Sequence, residues 1–158
     1  MEVRRVRADD WEALRDTRLR ALADAPDAFG TTHASALARP DTWWRDWALL
    51  SATAETQAMF LAWGERGSVG IAGAFVDEGR LRVISMWTEP SSRGLGVARA
   101  LLDAVVSFGG DREIVLGVTE GNDAARRLYE RYGFVGTGES EPLRPGSPLA
   151  VHELRLAR

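Results

Sequence analysis

Arg93-Gly94-Leu95-Gly96-Val97-Ala98 stands between an apolar, strand-like run ending at Trp87 and a helix-like run from Ala98 to Phe108. A glycine-rich turn that opens a helix is an anion site. Its first backbone N–H groups have no intrahelical partner, the helix dipole adds partial positive charge, and glycine lets a bulky anion reach the main chain. Arg93 adds a cationic fork. The turn has neither the Lys-Ser/Thr ending of a P-loop nor the G-x-G-x-x-G spacing of a dinucleotide site, so neither motif describes it. Glycine at a strand-to-helix turn also serves backbone geometry alone, and the turn by itself leaves both readings open.

Downstream, Ala98, Leu101, Leu102 and Val105 form one apolar stripe, and Gly109-Gly110 stops the helix. Ile114 to Val118 is a nearly continuous apolar run, as expected of a strand covered on both faces and parallel to its neighbour. Asn122 opens a second helix with Ala125, Leu128, Tyr129 and Tyr132 on one stripe, closed by Gly133. Phe134 to Thr137 and Ala150 to Leu156 read as strands separated by a Pro/Gly-rich loop, Glu141 to Pro148. Upstream, Gln57–Trp63, Val69–Val76 and Leu81–Thr88 form an antiparallel meander through the tight turns Gly64-Glu65-Arg66-Gly67 and Asp77-Glu78-Gly79-Arg80. Before it come a strand over Glu2 to Arg7 and a helix carrying Trp11, Leu14, Leu19 and Leu22, capped by Asp9 or Asp10 and ending near Pro26. A loop from Asp27 to Arg39 leads to a helix started by Pro40-Asp41-Thr42, whose Trp43, Trp47 and Leu50 share a face with Trp44 beside them. That face reads as core packing, with the wall of an acceptor pocket as the alternative.

The R-x-x-G-x-A turn after a strand, then a short apolar strand, then N-x-x-A-x-x-L-Y-x-x-Y-G-F from Asn122 to Phe134 resembles the GCN5-related N-acetyltransferase superfamily. The matching block runs from about Leu81 to Val135, and its two motifs are specific together where neither is alone. The resemblance implies an α/β (α+β) fold: a mixed, mostly antiparallel sheet of about seven strands flanked by about four helices, with a splayed strand pair at the cofactor cleft. It implies acetyl-CoA as cosubstrate and no metal, with the diphosphate on the N–H groups of Gly94, Leu95, Gly96, Val97 and Ala98 beside Arg93. The pantetheine arm would lie along Met86-Trp87-Thr88 like an added strand, with Asn122 nearby.

Transfer of acetyl to an amine needs a proton removed from the amine, charge stabilised on the carbonyl oxygen, and a proton for the departing thiolate. The resemblance puts Tyr129 in the last role, as a phenol of pKa near ~10 that keeps its proton at neutral pH; read without it, Tyr129 is core like Tyr132. Asn122 is in any case a plausible helix cap. Some relatives carry a glutamate five residues before this Asn, but here the position is Gly117. Glu120, Glu89, Glu153, the Asp77-Glu78 turn, His33 and water remain as candidate bases, and none is assigned. A non-catalytic acyl-CoA-binding or sensing domain and an unrelated nucleotide-binding α/β protein are the competing readings.

The 158 residues, 45% hydrophobic, suffice for one domain spanning 1–158. A formal charge of −3 with scattered basic residues does not point to nucleic acid. All the basic residues are Arg, which suggests biased genome composition rather than a binding adaptation. The absence of Cys excludes disulfides, a cysteine nucleophile and thiolate metal sites. No signal segment or membrane-length apolar run is visible, so a cytoplasmic protein is expected. The resemblance implies an acceptor that is a small-molecule amine or a protein amino group. Tryptophans of the second helix, if exposed, would favour a homodimer.

Overall fold

Tight turns and two helical crossovers lay down the sheet. The computed structural model describes residues 1–158. Strands β1 (Glu2–Arg5), β2 (Gln57–Gly64), β3 (Gly67–Asp77) and β4 (Arg80–Thr88) pair antiparallel in sequence order. Gly64 pairs with Gly67 around Glu65-Arg66, and Asp77 with Arg80 around Glu78 and Gly79, whose φ angles of 51° and 77° give the left-handed turn a right-twisted hairpin requires. Helix α4 (Val97–Gly109) then carries the chain across to β5 (Ile114–Thr119), which runs parallel to β4. After helix α5 (Asp123–Tyr132), β6 (Phe134–Pro142) and β7 (Ala150–Leu156) complete a seven-stranded sheet in the order β1-β2-β3-β4-β5-β7-β6.

Period-two alternation divides the core between two layers. Ala58, Phe60 and Ala62 of β2 face one side with Leu101, Leu102 and Val105 of α4, while Met59 and Leu61 face the other with Leu14, Leu22 and Trp44. Helices α1 (Trp11–Asp24), α2 (His33–Leu37) and α3 (Asp41–Thr53) thus cover one face of the sheet, and α4 and α5 the other. The expected mixed sheet with a splayed pair is present.

Four local differences from expectation have physical causes. The stretch Asp27 to Arg39 contains a 3-10 turn and the single helical turn α2, capped by Thr32, whose Oγ1 accepts from Ser35 N. A helix this short shows no periodicity, and it makes five helices where about four were expected. On α3 the buried stripe is Trp44, Ala48 and Ser51, one residue later than Trp43, Trp47 and Leu50, and Leu50 is exposed. Trp43 and Trp47 lean on the edge of the core, Trp43 with the Arg39 guanidinium 3.9 Å above its ring. On α4 Val97, rather than Ala98, begins the buried stripe. Finally, β6 extends to Pro142 through an irregularity between Gly136 and Ser140, an exposed edge whose polar side chains hid it from a hydrophobicity reading.

Candidate active site

The site is made where β4 and β5 part. Their parallel pairing covers only Leu81–Ile114, Arg82–Val115 and Val83–Leu116; beyond that the strands diverge. Divergence coincides with a bulge in β4, where the register against β3 slips between Ile84 and Trp87. Ser85 sits in it at φ 61°, a left-handed conformation that a non-glycine residue adopts only at a cost. The bulge reverses the alternation: Leu81 and Val83 face the α4 layer and Ile84 the α1 layer, yet Met86 packs with α4 and Trp87 with α1. The resulting gap holds two adjoining cavities, each lined by residues from both layers. One is a cleft of about 900 Å³ and the other a pocket of about 440 Å³, with Ala28, Met86, Thr119, Asn122, Ala125 and Tyr129 lining both.

In the larger cleft the glycine turn is positioned by its backbone. Gly94 and Gly96 have φ of 78° and 84°, and a Cβ on either would touch nothing, so their requirement is conformational. Gly96 is the N-cap of α4 with no side chain capping the helix, which leaves its first N–H groups to a ligand. Of the residues assigned to the cofactor from sequence, Met86, Trp87, Thr88, Arg93, Gly94, Gly96, Val97, Ala98 and Asn122 all line the cleft; Leu95 does not, and its side chain is 73% exposed. The Arg93 guanidinium donates to Thr88 O at 3.1 Å and to Asp24 Oδ2 at 2.9 Å. The same carboxylate accepts from Trp87 Nε1 at 2.9 Å. Thr88 Oγ1 is buried with no partner on this wall, a polar atom of the kind that a bound amide would satisfy. The cleft therefore suits an extended, anionic molecule with amide groups, as coenzyme A is.

The two tyrosines of α5 have different surroundings. Tyr132 donates to Asp103 Oδ1 at 2.7 Å, and burial together with that bond pushes its phenol up to about 12. Tyr129 is buried, its ring packs edge-on to Phe134, and burial pushes its phenol far up. Its hydroxyl bonds to no protein group, so it is a protonated phenol facing the gap. Asn122 caps α5, its Oδ1 accepting from Ala125 N at 3.3 Å.

The candidate bases separate clearly. Glu120 lines the cleft; its Oε1 accepts from Ala150 N at 3.0 Å and its Oε2 is 3.8 Å from His152 Nε2. Glu89 is paired with Arg20, and Glu153 with Arg80 and Arg82. Asp77 and Glu78 occupy the β3–β4 turn at the far end of β4, and His33 begins α2 away from both cavities. At Gly117 a Cβ would lie 2.4 Å from Val151 Cγ1, so β7 fills the space a carboxylate there would need. Sequence reasoning missed Asp24, Arg99 and the Asp24–Ala28 wall of the cleft, and Arg18 in the smaller pocket. A charged side chain on an amphipathic helix carries no mark of the cavity it will face.

Similarity to known proteins fits this geometry. No curated protein matches the sequence significantly. Among solved structures, a GNAT-family acetyltransferase from Streptococcus pneumoniae superposes with a TM-score of 0.81 at 17% identity, over 98% of this chain and 97% of that one. A GCN5-related N-acetyltransferase from Kribbella flavida gives 0.77 at 19% identity over 99% and 97%. The yncA protein of Salmonella typhimurium, solved with its cofactor acetyl-CoA, gives 0.77 at 20% over 99% and 92%. At these identities the likeness is one of fold. The model of the acetyltransferase (GNAT) family matches residues 11–134, most of the chain, and with the glycine turn, the parted strands and the α5 tyrosine all in place, the chain belongs to that family.

Proposed function

We propose that the chain is a single-domain, cytoplasmic N-acetyltransferase that moves an acetyl group from acetyl-CoA to a primary amine by direct attack. The observation that carries this reading is the unpartnered hydroxyl of Tyr129, in a gap lined in common by the cofactor-sized cleft and the smaller pocket. The N–H groups of Gly94 to Ala98 hold the diphosphate, and the free edge of β4 at Met86–Thr88 pairs with the pantetheine arm; the likeness to yncA, solved with acetyl-CoA, supports the identity of the ligand. When bound, acetyl-CoA supplies a thioester whose carbonyl carbon bonds the amine nitrogen as the carbon–sulfur bond breaks, the nitrogen losing a proton and the sulfur gaining one.

Tyr129 holds the proton for the sulfur, since burial keeps its phenol neutral at physiological pH. Of the candidate bases weighed from the sequence, Glu120 alone lines the cleft. Fixing two reactants across one gap removes much of the bimolecular entropy cost, up to about 7–11 kcal/mol in favourable cases.

The test is release of free coenzyme A from acetyl-CoA across amines, amino acids, aminoglycosides, polyamines and N-terminal peptides. The chain has no thiol to give a background. Release that depends on one acceptor class is expected; acetyl-CoA binding without release on any acceptor would overturn the enzymatic reading.

A further inference from the structure

The smaller pocket contains a cation with no counter-ion. Its charged lining residues are Arg18, Arg82 and Glu141. Arg82 is neutralised by Glu153, 3.5 Å away, and Glu141 is exposed at the rim, on β6. Arg18 is different. It reaches from α1 under the sheet and donates from Nη1 to Ser85 Oγ at 2.8 Å, with its guanidinium 5.0 Å from the centre of the Phe29 ring. No carboxylate pairs with it. Arg4 is answered by Asp10, Arg20 by Asp16 and Glu89, and Arg5 by the carbonyls of Ser51, Ala54 and Gln57, while Arg39, also without a carboxylate, lies over the face of Trp43 outside the pocket. Desolvation, with Arg39 repelling it, lowers the Arg18 pKa to about 10, so it remains charged at neutral pH. A guanidinium has five donors in a flat fork, and one is used here. Holding such a group out of water without an anion costs stability that a bound anion would return.

The pocket itself limits what that anion belongs to. Its volume of about 440 Å³ is in the range of small-molecule sites. Its roof is tied down: Arg144, from the β6–β7 loop, donates to Pro26 O at 3.1 Å, Phe29 O at 2.8 Å and Gly30 O at 3.3 Å. At its other end the pocket reaches Tyr129 and Asn122, the residues it shares with the cleft.

We infer that the smaller pocket is the acceptor site and that Arg18 selects acceptors carrying an anionic group, a carboxylate above all, on the same small molecule as the amine. This rests on the N-acetyltransferase reading and makes the acceptor an amino acid or a close analogue. The carboxylate is held bidentately by the Arg18 fork, which leaves the amine at the Tyr129 end of the pocket. Ser85, in its left-handed bulge, fixes the fork from below.

The experiment compares kcat/KM for α- and ω-amino acids with that for their amides, their decarboxylated amines, aminophosphonates and dipeptides. Loss of one charge-assisted contact corresponds to about 10–100-fold. The expected result is a preference of that size for the free acids over the amides, reduced to near unity in Arg18→Met and partly kept in Arg18→Lys, with acetyl-CoA affinity equal in all three. A preference for aminophosphonates would identify the anion as phosphonate-like, and one for dipeptides would place a peptide terminus in the pocket; both keep the role of Arg18. Equal turnover of acids and amides by the wild type overturns the inference whether or not the variants fold. So does an Arg18→Met variant that loses all acceptors alike, because Arg18 would then serve only to hold Ser85. If no amine is acetylated, thermal shift with amine-free aliphatic carboxylates in the presence of coenzyme A decides the question separately. Stabilisation of the wild type but not of Arg18→Met supports anion recognition although the enzymatic reading has failed, and no stabilisation overturns it.

Discussion

Tyr129 and Tyr132 lie one helical turn apart on α5, and their neighbours give them different work. Tyr132 is tied to Asp103, whereas Tyr129 has no protein partner for its hydroxyl. Replacing Tyr129 with Phe should lower kcat about 100-fold, the usual worth of a positioned acid, with acetyl-CoA affinity nearly unchanged; steady-state kinetics beside a binding isotherm measures both. The two are the only tyrosines in the chain, and both phenols are raised above the ordinary 10.0. The folded protein therefore keeps protons at high pH that the unfolded chain gives up. The stability this confers is complete below pH 10 and, for Tyr132, is lost as the pH rises from about 10 to about 12. An ultraviolet titration should find little phenolate at pH 10 in the native protein and about half ionised after denaturation.

Among the elements, the turn into α4 was the most legible, because positive φ and an uncapped helix end leave a direct mark as Gly94 and Gly96. A Gly96→Ala substitution meets no atom but forces alanine into a left-handed conformation at about 1–2 kcal/mol. It should lower Tm by a few degrees and weaken acetyl-CoA binding, read by thermal shift with and without ligand. The antiparallel meander and the parallel strand at Ile114 were equally readable, since alternation, turn residues and a continuous apolar run each have a single simple explanation, whereas the insertion of β7 between β5 and β6 was not. Two other features were not. The bulge at Ser85 uses a serine where glycine would have advertised the left-handed backbone, and the phase of α3 depends on which of several tryptophans the sheet accepts. Arg18 was illegible for a further reason: its lack of a counter-ion is a fact about distant segments, Phe29, Ser85 and Leu143, that only folding assembles.

On the scale of the whole molecule, the sheet consists of two halves, β1–β4 and β5–β7, joined by three residue pairs between β4 and β5. On the proposed reading, acetyl-CoA bound in the cleft where the two strands part supplements that joint. At acetyl-CoA concentrations of about 100 Kd the native state should gain about 2.7 kcal/mol. Hydrogen exchange should slow most at Met86–Thr88 and Thr119–Asn122, the strand ends that line the cleft; protection confined to the α4 turn would show that the ligand does not bridge the halves. No helix is long and apolar enough to cross a membrane.

The gap between β4 and β5 holds two cavities rather than one, and this shapes traffic as well as chemistry. A site with one mouth imposes a queue, in which the second substrate waits for the first and blocks its exit. On the proposed reading each substrate has a cavity of its own, and the two meet along a wall that includes Met86, Asn122 and Tyr129. On the proposed reading neither arrival is compulsory before the other. Initial-rate lines should intersect, and dead-end analogues of each substrate should compete only with their own kind, the signature of random addition. A protein built this way needs no moving gate to load both reactants, only the permanent parting of two strands.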